Sequence, residues 1–217
     1  MTLELGPHTL VRIASADTLH SLEPLEPWVP EALRSAPWVV IRRAPASGGR
    51  IPVGVRGDRR AQRFAAWVEA GAVSDALTPQ ALASRRLWAR SARRDTIPAL
   101  RALDTVESIA SEAGFAAAWG PTGSVGFELA SGQPTATVTS DLDLAVWADR
   151  PLPAALARAL VDALDSLPVR ADVLLETPRG AVALAEYARS AGTVMLRTAL
   201  GPRLVNDCWE AAVTAAD

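Results

Sequence analysis

Thr139-Ser140-Asp141-Leu142-Asp143-Leu144-Ala145-Val146 alternates acidic and apolar side chains through its centre. In a strand, successive side chains point to opposite faces. Asp141 and Asp143 therefore share one face, about 7 Å apart along the backbone, and Leu142, Leu144 and Val146 share the other. The apolar face is built to pack on a core. The acidic face repels itself unless water screens it or a cation sits between the carboxylates. A hard divalent ion such as magnesium suits that pair, because it prefers carboxylate oxygens. A solvated edge strand is the other reading of the same pattern. The extended segment is predicted to run from Thr135 to Trp147.

Upstream, a strand over Phe115–Trp119 and the turn Gly120-Pro121-Thr122-Gly123 lead into a short helix from Ser124 to Ala130, stopped by Gly132. Glycine lets backbone amides approach a phosphate, and a helix N-terminus favours an anion. A plain turn also accounts for these residues. Downstream, Pro153–Asp165 reads as a helix with Leu156, Leu160, Val161 and Leu164 inward, Val169–Glu176 as a strand, Gly180–Ser190 as a helix and Thr193–Arg197 as a strand. Asp172 and Glu176 share a face of their strand, and either is a candidate third acid. Three carboxylates from neighbouring strands would hold one or two metal ions, the two-ion form with a spacing of ~3.5–4 Å.

The first part of the chain has a separate organisation. Trp38–Arg43 and Ile51–Val55 read as strands, with Pro52 arguing for a sheet edge. A helix is predicted over residues 59–70, with Phe64, Trp67 and Val68 on one face. Thr78-Pro79 is a helix start, a capping hydroxyl followed by proline, and that helix carries Arg85, Arg86, Arg90, Arg93 and Arg94. Another helix spans Pro98–Glu112. The boundary falls near residues 75–80. The fold class is α+β: a small α+β domain over residues 1–77, then a domain over 78–217 with a mixed sheet and flanking helices.

Composition narrows the function. The 217 residues carry 22 basic and 24 acidic side chains, and every basic one is arginine. A net charge of −2 does not suit a general nucleic-acid binder. Without lysine there is no Schiff-base amine. The single cysteine, Cys208, excludes an internal disulfide framework and a multi-cysteine zinc site. No apolar stretch approaches the ~18 residues of a membrane span, and the N-terminus lacks a signal-peptide pattern. A cytoplasmic location with no membrane association is expected. His8 and His20 stand without metal-ligand spacing around them. Trp28 and Trp38 are core residues by default.

The ordered set Gly123-Ser124, Asp141-x-Asp143 and a later lone acid resembles the nucleotidyltransferase superfamily with the polymerase-β-like fold. The resemblance implies that Gly123 and Ser124 bind a triphosphate and that Asp141 and Asp143 bind metal, magnesium being expected. Asp172 is the better match for the third acid, as metal ligand or proton acceptor, with Glu176 its rival. The gap between Ser124 and Asp141 is longer than the superfamily's usual spacing.

A narrower likeness covers residues 28–209. Pro52-Val53-Gly54-Val55-Arg56-Gly57 with Arg60, Gln62, Arg63 and Phe64, the strings Ser140–Leu144, Leu175–Pro178 and Gly180–Glu186, and Gly201-Pro202-Arg203-Leu204-Val205 resemble the malonate decarboxylase holo-acyl-carrier-protein synthases, or phosphoribosyl-dephospho-CoA transferases. That likeness implies triphosphoribosyl-dephospho-CoA as donor, a serine of the apo acyl-carrier subunit of malonate decarboxylase as acceptor, and pyrophosphate as leaving group. Arg56, Arg60 and Arg63 suit donor phosphates or the acidic surface of a carrier, or form a solvated helix face. Arg197 and Arg203 are further donor-binding candidates. The run Arg85–Arg94 reads as a solvated face or a carrier-docking face. Another metal-dependent nucleotidyltransferase and a non-catalytic module of the decarboxylase complex are the competing functions.

Overall fold

The computed structural model describes residues 5–59, 61–115, 118–190 and 192–209. Two six-stranded sheets follow one another along the chain. The first uses β1 (Leu10–Ile13), β2 (Leu19–His20), β3 (Trp38–Ile41), β4 (Ile51–Arg56), β5 (Arg63–Val68) and β6 (Val73–Leu77), with helix α1 (Trp28–Ser35) between β2 and β3. Its spatial order is β2-β5-β4-β3-β1-β6, with every pair antiparallel. One face packs Val11, Ile13, Val39, Ile41, Val53, Val55, Phe64, Ala66 and Val68 against Val29 and Leu33 of α1. Burying each large aliphatic contributes roughly 1.5–3 kcal/mol.

Two expectations fail in this sheet. Residues 63–68 form β5, not part of a helix. Phe64, Trp67 and Val68 match a helical stripe, but Phe64, Ala66 and Val68 match a strand equally well, and pairing along all of β4 decides for the strand. Pro52 lies on an interior strand instead of an edge. Its carbonyl accepts from the Arg42 amide (2.9 Å), so its missing N–H faces the side where β3 has already ended and removes no ladder bond.

Helices α2 (Pro79–Ser84) and α3 (Pro98–Glu112) connect to the second sheet. Thr78 caps α2, its Oγ1 accepting from Ala81 N (3.1 Å). The helix stops at Ser84 because Arg86 takes a left-handed conformation (φ 47°), so the arginine run is not one helix face. Arg86 pairs with Asp104 and Glu107, Arg94 with Asp104, and Arg93 with the buried Glu128. These arginines clamp the fold instead of lining a bare solvated face.

The second sheet uses β7 (Trp119–Pro121), β8 (Leu142–Trp147), β9 (Ala171–Thr177), β10 (Gly180–Ala183), β11 (Val194–Thr198) and β12 (Gly201–Val205), in order β12-β11-β10-β9-β8-β7. Only β8 and β9 run parallel, joined by the crossover helix α5 (Ala154–Asp165). Helix α4 (Gly123–Ser131) sits between β7 and β8, and α6 (Leu184–Arg189) follows β10. Leu142, Leu144, Val146 and Leu175 pack in one core with Leu100, Leu103 and Val106 of α3 and Leu160 and Leu164 of α5.

The predicted strand over Phe115–Trp119 begins instead at Trp119, and residues 116 and 117 lie outside the described part. The predicted helix over Gly180–Ser190 starts only at Leu184. Gly180 has φ 152°, and a Cβ there would sit 2.4 Å from the Arg197 carbonyl oxygen, so residues 180–183 extend alongside β9. The predicted strand over Thr135–Trp147 joins the ladder only at Leu142. Before it, the Glu128 carboxylate accepts from Ala136 N (2.8 Å), and Ser140 Oγ accepts from Thr137 N (2.9 Å), closing a turn.

Gly120 brings β7 onto α2. A Cβ at this position would lie 2.1 Å from the backbone carbon and oxygen of Pro79, which cannot rotate away. Gly120→Ala is expected to cost at least ~1–3 kcal/mol by overpacking. A thermal melt checks this, with a drop in Tm of several degrees expected and an unchanged Tm counting against the contact.

Candidate active site at the cleft between the sheets

The leucines of β8 face the helices, so Asp143, Ala145 and Trp147 lie on the other face of the sheet. On β9, Leu175 is fully buried, which puts Asp172, Leu174 and Glu176 on that same face. The parallel register pairs Asp143 directly with Asp172. Two carboxylates therefore stand on adjacent strands with backbones about 4.8 Å apart. Asp141 lies one residue before β8. Arg170 donates to Asp172 Oδ1 from Nε (3.2 Å) and Nη2 (3.0 Å), which orients the carboxylate.

Gly123 opens α4 directly against this acid. Its φ is +58°, and a Cβ would fall 1.9 Å from Asp143 Oδ2 and 2.9 Å from Asp143 Cβ. The Thr122 amide donates to the Asp143 carbonyl (2.8 Å), which locks the turn to the strand. The head of a nine-residue helix, whose first amides lack intrahelical partners, thus stands beside a carboxylate. Ser124 is held by its carbonyl, which accepts from Thr135 Oγ1 (2.8 Å).

Opposite this turn lies the face of the first sheet that α1 does not cover. A cavity of about 540 Å³ separates the two, with Arg42, Gly54, Arg56 and Arg63 on one wall and Thr122 and Gly123 on the other. Arg56 and Arg63 are directly paired across β4 and β5. Two guanidinium groups on adjacent strands suit a phosphate between them. Gly54 has no side chain because Arg42 lies over it: a Cβ there would meet Arg42 Cδ at 3.2 Å. Arg42 escaped the sequence reading, although the alternation Trp38, Val40, Arg42 places it on this face. Leu10 and Trp38 of the same face pack with Leu82 and Phe127, closing the cleft with an apolar seam.

The other expected residues divide. Arg60 lies outside the described residues. Arg197 pairs with Ala181, which pairs with Glu176, so Arg197 shares the acidic face, two strands beyond Glu176. Arg203 pairs with the buried Leu196 and so lies on the opposite face. Neither lines the cavity. Trp38 is buried, while Trp28 lines a second cavity. Cys208 is buried and its thiol pKa is pushed up by that burial, which fits packing better than nucleophilic attack.

Glu176 does not stand beside Asp143. It pairs with Trp147, four residues further along the sheet. It is 5% exposed and is held from across the cleft by two residues of the first sheet's half. His8 Nε2 lies 2.9 Å from Oε1, and the Arg43 guanidinium pairs with Oε2. Burial alone would raise the Glu176 pKa. The hydrogen bond from His8 and the charges of Arg43 and His8 outweigh it and hold the carboxyl below its usual range. No sequence signal marks His8, because its partner is 168 residues away.

Among the described residues no three His, Cys, Asp or Glu side chains gather into a metal cage. The Asp143–Asp172 pair is instead an incomplete oxygen set. That fits magnesium, which is usually held by one or two carboxylates plus substrate phosphates.

The model for the phosphoribosyl-dephospho-CoA transferase MdcG N-terminal domain matches residues 6–79, and that for the MdcG C-terminal domain matches residues 86–208. A phosphoribosyl-dephospho-CoA transferase of Pseudomonas putida is 44% identical over 182 residues, 84% of this chain and 85% of its own. One of Azotobacter vinelandii is 40% identical over 207 residues, covering 94% and 93%. One of Pseudomonas aeruginosa is 38% identical over 212 residues, covering 98% of both. No solved structure matches. No described helix is long and apolar enough to cross a membrane.

Proposed function

The chain belongs to the phosphoribosyl-dephospho-CoA transferase family and is a transferase, and from the cleft we propose how it acts. The donor is triphosphoribosyl-dephospho-CoA and the acceptor is a serine hydroxyl of the apo acyl-carrier subunit of malonate decarboxylase. The observation that carries this reading is the Asp143–Asp172 pair, pressed against Gly123 at the head of α4 beneath a face of arginines.

Backbone amides at Gly123 and Ser124, at the head of α4, and the guanidinium groups of Arg42, Arg56 and Arg63 bind the triphosphate. Asp143 and Asp172, rather than the three-acid set with Asp141, would hold magnesium together with the donor's phosphates, and the ion would neutralise charge on the phosphate oxygens. The serine oxygen attacks the phosphorus nearest the ribose. The bond from that phosphorus to the bridging oxygen breaks, and pyrophosphate leaves with the electron pair. Asp172, oriented by Arg170 and open to solvent, accepts the serine proton or passes it to water. The protein contributes mainly positioning and charge neutralisation, as phosphoryl-type transfer requires.

Incubation with magnesium, donor and apo carrier, followed by mass spectrometry of the carrier, tests this. A mass gain equal to the phosphoribosyl-dephospho-CoA group is expected, together with one pyrophosphate per carrier. An unchanged carrier mass overturns the reading. A gain from ATP or CTP instead would assign a different nucleotidyl donor.

A further inference from the structure

A second cavity, of about 530 Å³, opens beside the first and shares Arg63, Phe64 and Ala65 with it. It exists because β2 is short. The ladder between β2 and β5 consists of Leu19↔Val68 and His20↔Trp67, and no described strand continues beside Arg63–Ala66. The Gly57 amide donates to the Gln62 carbonyl (3.0 Å), which fixes the phase of the β4–β5 ladder. Phe64 and Ala66 then point their peptide groups at β4. Arg63 and Ala65 point theirs outward, into the cavity. Trp28 and Trp67 supply apolar walls, and Leu22, 91% exposed, stands at the rim.

Arg59 and Arg63 line this second cavity together with Glu23 and Glu26, and Arg63 is the one of these that also lines the first cavity. A ligand here is anionic where it meets the first cavity, apolar along its length, and able to exchange hydrogen bonds with a strand edge. Building on the function proposed above, we infer that this cavity holds the pantetheine arm of the donor's dephospho-CoA moiety. The arm carries two amides between apolar carbons and ends in a diphosphate. The diphosphate sits toward Arg63, where the two cavities meet, and Arg59 adds a second positive charge to the lining. The amides meet the open peptide groups of Arg63 and Ala65, as an added strand would. Arg63, Phe64 and Ala65 line both cavities, so a ligand that fills the first continues into the second there.

Calorimetric titration of dephospho-CoA and of ADP, which has the adenosine diphosphate but no arm, tests the inference. Dephospho-CoA is expected to bind at least ~10-fold tighter, equivalent to ~1.4 kcal/mol. Leu22→Glu, at a position whose exposure makes it neutral for folding, and Ala61→Trp, which fills the cavity, are each expected to erase that advantage and leave ADP binding unchanged. Equal binding of the two ligands by the unaltered protein overturns the inference. So does a loss of ADP binding in parallel, which would assign the cavity to the nucleoside, or a full advantage retained in both variants. Carrier modification by the unaltered protein, measured alongside, separates failure of this inference from failure of the transferase reading.

Discussion

Gly123→Ala is expected to lower carrier modification by about 10²–10³-fold, the loss typical of removing one preorganised charge-stabilising group, while leaving a folded protein. Two effects combine at this position. The backbone has φ +58°, a conformation that costs an alanine roughly 1–2 kcal/mol. The added Cβ would also lie 1.9 Å from Asp143 Oδ2 and 2.9 Å from Asp143 Cβ. Rotating the carboxylate relieves the first contact but not the second, so the whole aspartate moves away from the head of α4. The strain predicts a fall in Tm of ~2–8 °C for a chain of this size. Asp143→Asn keeps the shape and removes the charge. It is expected to reproduce the loss of activity with little change in Tm. The double variant is expected to lose little more than either single one, because both remove the same unit. Wild-type turnover by Gly123→Ala would mean that the contact between turn and acid has no part in the chemistry.

The acidic face of the second sheet was legible because alternation is a local property. Asp143 falls on the face opposite Leu142 and Leu144 whichever strand lies alongside. The helices were legible for the same reason, α5 by its apolar stripe and α4 by the glycine that stops it, each within one short segment. What the sequence concealed depends on pairing. Phe64 and Val68 satisfy both periods, with Trp67 completing a helical stripe and Ala66 a strand face, and only β4 alongside chooses between them. Strand β12 carries no buried residue, so it has no apolar pattern to read. Asp172 and Glu176 look equivalent on one strand. They differ only through the neighbours that tertiary structure supplies: Asp143 for one, and His8 and Arg43 for the other. Arg42 was hidden at the end of an apolar run, where it reads as a strand terminus until Gly54 is seen beneath it.

Arg43→Met is expected to destabilise the protein by about 3–5 kcal/mol, because it leaves the Glu176 carboxylate buried without its permanent cation. That corresponds to a fall in Tm of ~6–20 °C. The pair joins the two halves of the chain, so calorimetry is expected to show the single transition broadening or splitting. Adding Glu176→Leu is expected to recover part of the loss, since an apolar residue makes no demand for a partner. Strictly additive losses would show that the two side chains do not interact. The same pair sets an acid limit. The folded Glu176 pKa is depressed, so its contribution is fully present above the unfolded value of about 4.3 and disappears as pH falls through the lower folded value. Glu176→Gln should therefore show a shallower loss of stability below about pH 4.3 than the unaltered protein. Equal slopes for the two proteins in an acid titration of Tm would detach the acid response from this clasp. The cavity that receives the donor has one wall on each half. A weakened clasp is thus expected to raise KM for the donor more than it lowers kcat, whereas damage confined to Asp143 falls on kcat.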